Sequence, residues 1–233
     1  MGLIKACLNG ARAPGEHPAL PLTPAQLAAD GAAAVAAAVQ ALHIHPRDAD
    51  GHETLAVDDA VRAVQAACSG VPVGVSTGAW IVPDVSARVA AVRAWRAPAM
   101  ASVNLSEEGH VEVMEALTAA GVGIEAGLWH VEDVAALQAS GFAGALTRAL
   151  VEPGEDDPAA AVATAQAIDA ALDAAGIAAP RVHHGFGLAT WGVLRRAKAL
   201  GHGWRIGFED TLFLPDGRPA ASNAELVSAA LAL

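Results

Sequence analysis

Lysine and cysteine are both scarce in this chain of 233 residues, which has two lysines, Lys5 and Lys198, and two cysteines, Cys7 and Cys68. Two cysteines outside a CxxC pair are too few for a disulfide scaffold, so we expect reduced, buried thiols. The 14 basic residues stand against 25 acidic ones, a formal net charge of −11. This surplus of negative charge repels nucleic-acid phosphates and anionic membrane surfaces and argues against both as partners.

Long hydrophobic runs are also missing, although 54% of the residues are hydrophobic. Alanine accounts for about a quarter of the chain, so the apolar fraction comes mainly from a small residue that favours helices. No segment has the length and apolar character of a membrane span, and the first residues lack the apolar region of a secretory signal. We expect a cytoplasmic protein with one globular domain over residues 1–233.

Short runs rich in Val, Ile and Leu alternate along the whole chain with Ala-rich stretches that carry charges at helical spacing. The predicted strands are residues 4–8, 41–45, 72–76, 101–105, 122–125, 144–150, 181–184 and 205–208. The predicted helices are residues 23–39, 55–69, 84–95, 109–120, 131–140, 158–175, 188–200 and 222–232. Thr23 followed by Pro24 is typical of a helix start, and Ser222 and Glu225 have the spacing of a capping box.

Eight strand–helix units predict a closed parallel (β/α)8 barrel of near minimal length. Parallel strands need crossover helices, and closure leaves no exposed sheet edge. The alternative is an open, doubly wound sheet, but that architecture usually has fewer units and a glycine-rich fingerprint after its first strand. Residues 9–15, NGARAPG, are no such fingerprint.

Polar side chains gather at the C-terminal ends of the predicted strands, where a barrel carries its active site. They are Asn9, Arg12, His43, His45, Arg47, Asp48, Ser76, Thr77, Asn104, Glu125, Arg148, His183, His184, Arg205, Glu209 and Asp210. We take Ser76, Thr77, Asn104 and Glu125 from this set as candidate substrate-binding residues.

The sharpest local motif is His43-Ile44-His45. Strand residues two apart point to the same side, so both imidazoles can face one metal ion while Ile44 faces the helices. Two hydrogen-bonded core histidines are the competing interpretation. Glu209 at the end of the eighth strand favours the metal, because barrel closure brings strands eight and two within one strand of each other. Two histidines, a carboxylate and an open position form a ligand set of catalytic zinc.

Other polar or aromatic groups have weaker signatures. His183 and His184 point to opposite faces, so we expect at most one to reach the site, as a core residue or a support behind the ligands. The acidic stretch Glu152–Asp157 is interpreted as a solvated loop leading into a helix, with a cation or amine site as the alternative. The five tryptophans are interpreted mostly as packing or subunit contacts. For Trp80 and Trp129, which follow strand ends, the wall of a pocket is the alternative.

Several phrases, in order along nearly the whole chain, resemble the β-keto acid cleavage enzymes. They are Asn9-Gly10-Ala11, PALPLTP over 18–24, His43-Ile44-His45 with RDADG over 47–51, Ser76-Thr77-Gly78, RIGFED over 205–210, and SNAELV over 222–227. The resemblance implies a TIM barrel in which His43, His45 and Glu209 hold one Zn²⁺. It further implies that Asp210 and Arg205 match the catalytic aspartate and arginine, and that Ser76 and Glu125 match residues around the substrate.

In that family a β-keto acid reacts with acetyl-CoA to give acetoacetate and a new acyl-CoA, with no organic cofactor. The resemblance assigns to Asp210 the removal of the C2 proton, with Arg205 keeping it ionised and oriented. A retro-Claisen step then releases acetoacetate. The implied partners are therefore a small β-keto acid and acetyl-CoA, and the Ala-rich helix faces and the family habit lead us to expect a homo-oligomer.

The chain departs from the family pattern at several positions. Arg12 stands in the first loop where the family commonly has an acid, and Thr211 replaces an asparagine after Glu-Asp. The glycine-rich stretch near the thioester corresponds here to the acidic residues 152–157, and acids close to CoA phosphates weaken binding unless they point away. An arginine after strand seven is absent, with Leu188 nearby.

These departures keep other functions open. A hydrolase or metal aldolase acting on a small keto acid without CoA is the second hypothesis. An amidohydrolase would need its HxH motif on the first strand and a carboxylated lysine, which this chain lacks. A binding scaffold with an inactive site is the third hypothesis, and the presence of Asp210 and Arg205 argues against it.

Overall fold

The computed structural model describes residues 2–233, and within that range eight parallel strands alternate with eight helices. The strands are β1 (Ile4–Cys7), β2 (Ala41–Ile44), β3 (Val73–Ser76), β4 (Met100–Asn104), β5 (Gly123–Leu128), β6 (Arg148–Val151), β7 (Arg181–His183) and β8 (Gly203–Ile206). The helices are α1 (Pro24–Ala36), α2 (Asp58–Ala67), α3 (Val85–Ala94), α4 (His110–Ala120), α5 (Val131–Ser140), α6 (Pro158–Ala174), α7 (Ala189–Ala199) and α8 (Asn223–Leu231). Each strand pairs with the next, and β8 pairs with β1, so the sheet is a closed barrel. The predicted TIM barrel is confirmed.

Three strands differ from their predicted bounds by more than one residue. β6 begins at Arg148 rather than at 144, because the chain first turns at Phe142, whose carbonyl accepts from the N–H of Ala145 at 2.8 Å. β8 ends at Ile206, since the carbonyl of Gly207 already accepts turn hydrogen bonds from the residues that follow. β5 continues to Leu128, which places Glu125 inside the strand rather than at its C-terminal end, where it was expected.

Alternate residues of each strand face the barrel interior or the helices, and the register shows which do which. Lys5 lies level with Arg205 on β8, and Glu125 lies level with Arg148 on β6. The Nζ atom of Lys5 is 2.5 Å from Oε2 of Glu125, although β1 and β5 are opposite strands, so this contact crosses the interior. The alternate set, including Ile44, is mostly apolar and packs in the core beneath the helices, with Arg181 and His183 of β7 as polar members that contact Asp169 of α6.

The barrel interior therefore contains an ion cluster. Glu125 is fully buried and accepts hydrogen bonds from Lys5 at Oε2 and from Arg148 at Oε1, the latter at 2.7 Å. Burial alone would raise the pKa of Glu125, but these two cations outweigh it and lower that pKa. A buried carboxylate with both oxygens paired is a structural strut across the barrel.

Side-chain caps begin two helices at the residues that the sequence predicts. Thr23 and Gln26 form a capping box at the start of α1. At the start of α8 only half of the predicted box is made: Ser222 accepts from the N–H of Glu225, but the carboxylate of Glu225 accepts from the N–H of Ala221 at 2.6 Å. Buried Asn223 accepts from the N–H of Phe208 at 2.6 Å and donates to the carbonyl of Leu8 at 2.8 Å. This amide ties α8 to the ends of β8 and β1 and so seals the barrel where the chain closes it.

None of the helices within residues 2–233 is long and apolar enough to cross a membrane.

Replacing Lys5 by Met should lower the free energy of unfolding by about 3 kcal/mol, because Glu125 then stays buried with one cation instead of two. Urea denaturation measures the change.

Lys198→Met is the matched control. Nζ of Lys198 donates to three carbonyls at and just after the end of α8 at 2.8–3.0 Å, and losing this partly exposed contact should cost about 1 kcal/mol. The double variant Lys5→Met/Glu125→Gln should recover part of the loss. Equal losses in the free energy of unfolding for the two lysine variants would contradict a stabilising role of the Lys5–Glu125 ion pair.

Candidate active site

The predicted metal ligands meet at the C-terminal end of the barrel. Nε2 of His43 lies 3.1 Å from Nε2 of His45, and Oε2 of Glu209 lies 3.9 and 3.5 Å from those nitrogens. A tetrahedral zinc ion with bonds of about 2.0–2.1 Å holds its ligand atoms about 3.3 Å apart, so the three atoms surround a space of the right size. Oε2 of Glu209 is buried and, within residues 2–233, makes no hydrogen bond. The residues therefore fit a divalent metal.

Neighbouring loops hold these ligands in place. The side chain of Asn9 donates to the carbonyl of His45 at 2.8 Å and accepts from its N–H at 2.9 Å, which locks the end of β2. Gly10 has a φ of +56°, and a Cβ on it would lie 2.5 Å from Cγ of Glu209. Glycine at this turn thus makes room for the carboxylate ligand.

Glu53 is a functional candidate that sequence reasoning missed. One of its carboxylate oxygens hydrogen-bonds Nδ1 of His45, and the other accepts from the indole N–H of Trp80 at 2.9 Å. A carboxylate on Nδ1 leaves Nε2 of the same ring directed at the metal, which is the usual support of a ligating histidine. Glu53 follows His45 by eight residues in a loop, and no spacing rule points to it.

The two histidines differ in protonation. Burial lowers the pKa of His43 well below its usual value, so its imidazole is neutral and ready to ligate. Burial also acts to lower the pKa of His45, but Glu209 and Glu53 outweigh it and raise that pKa to about 9. A cationic metal would take the place of this proton, because both interact with the same carboxylates.

Arg205 and Asp210 lie directly beside the cluster. Nε and Nη2 of Arg205 donate to Oδ1 of Asp210 at 3.1 and 2.8 Å, and Nη2 also donates to Oε1 of Glu209 at 2.7 Å. Burial alone would raise the pKa of Glu209, but Arg205 lowers it well below its usual value. One buried guanidinium therefore pairs with the carboxylates of two consecutive residues, the predicted metal ligand Glu209 and its neighbour Asp210.

Behind Asp210 lies a second polar pair. Nδ1 of His184 is 3.2 Å from Oδ1 of Asp210, and its Nε2 is 2.7 Å from Oε2 of Glu152. His183 on the same strand faces the helices, beside Asp169 of α6, so the expectation that only one of the two histidines reaches the site is confirmed.

The acidic stretch 152–157 divides into parts with different roles. Asp157 caps α6 by accepting from the N–H of Ala160 at 2.8 Å, and Glu155 accepts from Thr164. Glu152, by contrast, is 4% exposed and lies in the wall of the site, which corrects its placement in a solvated loop. Its position directly after β6 is the signal that could have identified it.

A cavity of about 340 Å³ lies next to the three predicted metal ligands, which form part of its wall. Its walls are Ala11, Arg12, Glu16, His43, His45, Ser76, Trp80, Ser102, Asn104, Trp129, Glu152, Phe186, Arg205 and Glu209. Ser76 and Asn104 thus lie where predicted, and the two tryptophans form walls as expected. Thr77 and Glu125 are not part of this wall: the Thr77 hydroxyl donates to the carbonyl of Ser102 at 2.8 Å, and Glu125 lies in the ion cluster below.

Two other groups of metal-ligand residues occur in the described part of the chain. Asp48, Asp50 and His52 form an exposed cluster on the surface. Asp169, His183 and His202 lie together as well, but both carboxylate oxygens of Asp169 are paired with guanidinium groups, from Arg181 at 3.0 Å and Arg196 at 2.5 Å. Two cations on the one carboxylate oppose a third, so the centre at His43 is the favoured metal site.

The barrel resembles solved structures of several enzymes. ObcA in complex with oxaloacetate has 18% identity and a TM-score of 0.72, over 91% of this chain and 62% of that chain. ObcA in a ternary complex with a C4-CoA adduct and oxalate has 16% identity and a TM-score of 0.70, with the same coverage. The 3-dehydroquinate dehydratase of Geobacillus kaustophilus HTA426 has 14% identity and a TM-score of 0.61, over 100% of this chain and 91% of that one. At these identities the likeness shows the fold, and the chain spans about six tenths of the length of ObcA.

A search of curated protein sequences finds no match. The sequence does match the beta-keto acid cleavage enzyme family over residues 2–233, the same residues that build the barrel and contain the three predicted metal ligands. This match agrees with the resemblance carried by the ordered motifs. The chain belongs to the β-keto acid cleavage enzyme family.

Proposed function

We propose that this chain is a zinc-dependent β-keto acid cleavage enzyme that uses acetyl-CoA as co-substrate and releases acetoacetate and a new acyl-CoA. The observation that carries the proposal is the grouping of His43, His45, Glu209 and Arg205 in the wall of one cavity, with buried Asp210 in contact with Arg205 behind that wall. The transfer of an acyl group between carbon and sulfur makes the enzyme an acyltransferase.

His43, His45 and Glu209 would hold the metal through three atoms and leave one position open toward the cavity. When bound there, Zn²⁺ supplies a Lewis acid that polarises the keto group and favours loss of the C2 proton. Glu53 supports this role by fixing the ring of His45.

Asp210 is the proposed base. Arg205 binds only Oδ1 of its carboxylate, and Oδ2 is buried without a hydrogen-bond partner among the described residues. A base needs a free lone pair, and Oδ2 keeps one because no described residue donates to it. The resulting carbanion attacks the thioester carbonyl and releases CoA thiolate. The thiolate adds to the former keto carbon, the bond between that carbon and C2 breaks, and C2 takes back the proton held by Asp210 to give acetoacetate.

The cavity wall offers donors for an anionic substrate. Oγ of Ser76 accepts from the N–H of Gly78 at 3.1 Å, so its own hydroxyl hydrogen is free to donate into the cavity. Arg12 adds a cation at the rim, although its Nη1 is shared with Glu16 at 3.0 Å. These groups support binding of a small carboxylate next to the metal.

Acetyl-CoA as the acceptor rests on family membership and on the ObcA structure whose ligands include a C4-CoA adduct. The structure also weakens the argument against CoA made from the acidic stretch, because Asp157 and Glu155 are engaged with α6. Glu16 and Glu152 remain as acids in the cavity wall, and they favour the second candidate, a hydrolase or aldolase that acts on a keto acid without a thioester.

The first prediction from the proposed function concerns the metal. Purified protein should contain about one zinc per chain, and His43→Ala should abolish binding because the cluster loses a ligand. Glu53→Gln should weaken zinc affinity about 10- to 100-fold, as expected for a support of a ligating histidine. Competition with a chelator measures the affinity.

His52→Ala is the matched control for the metal prediction, since His52 precedes Glu53 in the same loop but is 81% exposed. Its zinc affinity should equal that of the parent protein. Full zinc retention in His43→Ala would rule out the proposed centre.

The second prediction concerns the base. Asp210→Asn keeps the shape of the side chain and removes the proton acceptor, so kcat should fall by about 10²- to 10⁴-fold while zinc content is unchanged. Steady-state kinetics combined with metal analysis separates the two effects. Near-normal turnover in this variant would remove Asp210 from the mechanism.

The third prediction concerns the acceptor. A panel of β-keto acids assayed with and without acetyl-CoA should give acetoacetate only when the thioester is present. Acetoacetate and the new acyl-CoA should form in equal amounts, measured by chromatography. Cleavage of a keto acid without any thioester would favour the hydrolase or aldolase instead.

A further inference from the structure

Two residues behind the proposed base have no part in the mechanism given so far. His184 lies between Asp210 and Glu152, with its two ring nitrogens 3.2 and 2.7 Å from their carboxylates. We propose that His184 is a positioning residue for Asp210 and that Glu152 holds the His184 ring in place. This inference rests on the proposed function, because it concerns the proton removed from the substrate.

The contacts of Asp210 are concentrated on one oxygen. Oδ1 faces Nε and Nη2 of Arg205 and Nδ1 of His184, whereas Oδ2 lacks a hydrogen-bond partner within residues 2–233. Arg205 approaches Oδ1 as a planar fork, but the same guanidinium also binds Glu209. A further contact on Oδ1 that does not involve Glu209 restrains this carboxylate. His184, directly after β7, supplies that contact.

The surroundings of the imidazole determine where its hydrogens lie. Nδ1 faces two acceptors, Oδ1 of Asp210 and the carbonyl of Gly185 at 3.3 Å, and ionised carboxylates and carbonyls cannot donate. Nε2 likewise faces an acceptor, Oε2 of Glu152. Both ring nitrogens thus face acceptor oxygens, an arrangement that favours a hydrogen on each. Burial and Arg205 act to lower the pKa of His184, but Asp210 and Glu152 outweigh them and raise it.

Glu152 has two faces in this arrangement. Its Oε2 binds His184, and its Oε1 is buried without a hydrogen-bond partner among residues 2–233 while the side chain lines the cavity. The carboxylate therefore connects the support of the base to the space where substrate binds. A substrate that moves Glu152 would also move the ring that holds Asp210.

Two isosteric substitutions separate the roles of the ring nitrogens. His184→Asn places an amide N–H near the position of Nδ1, so it keeps a donor to Asp210 and loses the bond to Glu152. His184→Gln places its amide near Nε2, so it keeps the donor to Glu152 and loses the contact with Asp210. We expect a loss of roughly 10- to 100-fold in kcat for His184→Gln, with a much smaller loss for His184→Asn, because slight misplacement of a reacting group costs this much.

The readout isolates proton removal. Exchange of the C2 hydrogens of acetoacetate with D₂O, followed by ¹H NMR above the spontaneous rate, tests the first step without CoA. Zinc content and thermal unfolding are measured in parallel. His183→Asn and His183→Gln are the matched controls, because His183 is equally buried in the same strand but faces the helices. Both controls should exchange acetoacetate at the parent rate per folded, zinc-loaded protein.

Each outcome has a separate meaning. Slow exchange by His184→Gln with intact zinc and near-parent exchange by His184→Asn supports the proposal. Equal exchange rates for the two variants overturn it, whether both are fast or both are slow. If the parent protein neither exchanges acetoacetate nor cleaves any β-keto acid, the proposed function itself fails, and this result is distinct from a failure of His184 alone.

Discussion

The site depends on the ion pairs that the buried guanidinium of Arg205 makes with neighbouring carboxylates. This guanidinium contacts both carboxylates of the adjacent residues Glu209 and Asp210, and its Nη1 lies 3.9 Å from Glu152. These three acids lie close together in the interior, and the guanidinium supplies the positive charge that faces all of them. Arginine suits the position because it keeps its proton and offers a fork of donors. One strand residue thereby places the proposed metal ligand Glu209 beside the proposed base Asp210.

The barrel interior has two polar levels with opposite purposes. In the lower level, Lys5 and Arg148 bind the two oxygens of Glu125, so each oxygen of this carboxylate has a cation as its partner. In the upper level, Oε2 of Glu209 and Oδ2 of Asp210 stay unpaired among the described residues, which is costly unless a ligand completes them. Lys5 and Arg205 are register partners on β1 and β8, yet Lys5 belongs to the lower group of charges and Arg205 to the upper group. The lower group connects opposite strands across the interior, and the upper group keeps carboxylate oxygens available for a ligand.

The sequence was sufficient to predict the fold, because every strand–helix unit has its own hydrophobic period and most helices have start or stop signals. It also predicted that these three candidate metal ligands lie together, since the two-residue spacing of His43 and His45 and barrel closure onto Glu209 are geometric consequences of strands. The sequence did not indicate the contact between Glu53 and His45. That contact depends on an isolated backbone bridge between Arg47 and Glu53, and no periodicity predicts such a bridge. Glu152 was misassigned because its neighbours in sequence are solvated acids, and Glu125 because the strand continues past it.

Both lysines have structural tasks, which gives the surface an uncommon chemical character. Lys5 is fully buried in the barrel, and Lys198 binds the last carbonyls of the chain. Arginine therefore supplies the remaining fixed positive charge, and Lys198 is the single lysine side chain with any exposure to solvent. Acylating reagents and amine-directed cross-linkers that label most proteins at many points would find almost no ε-amino groups here. Any attachment through lysine would fall at one end of α7, on the side of the barrel away from the cavity.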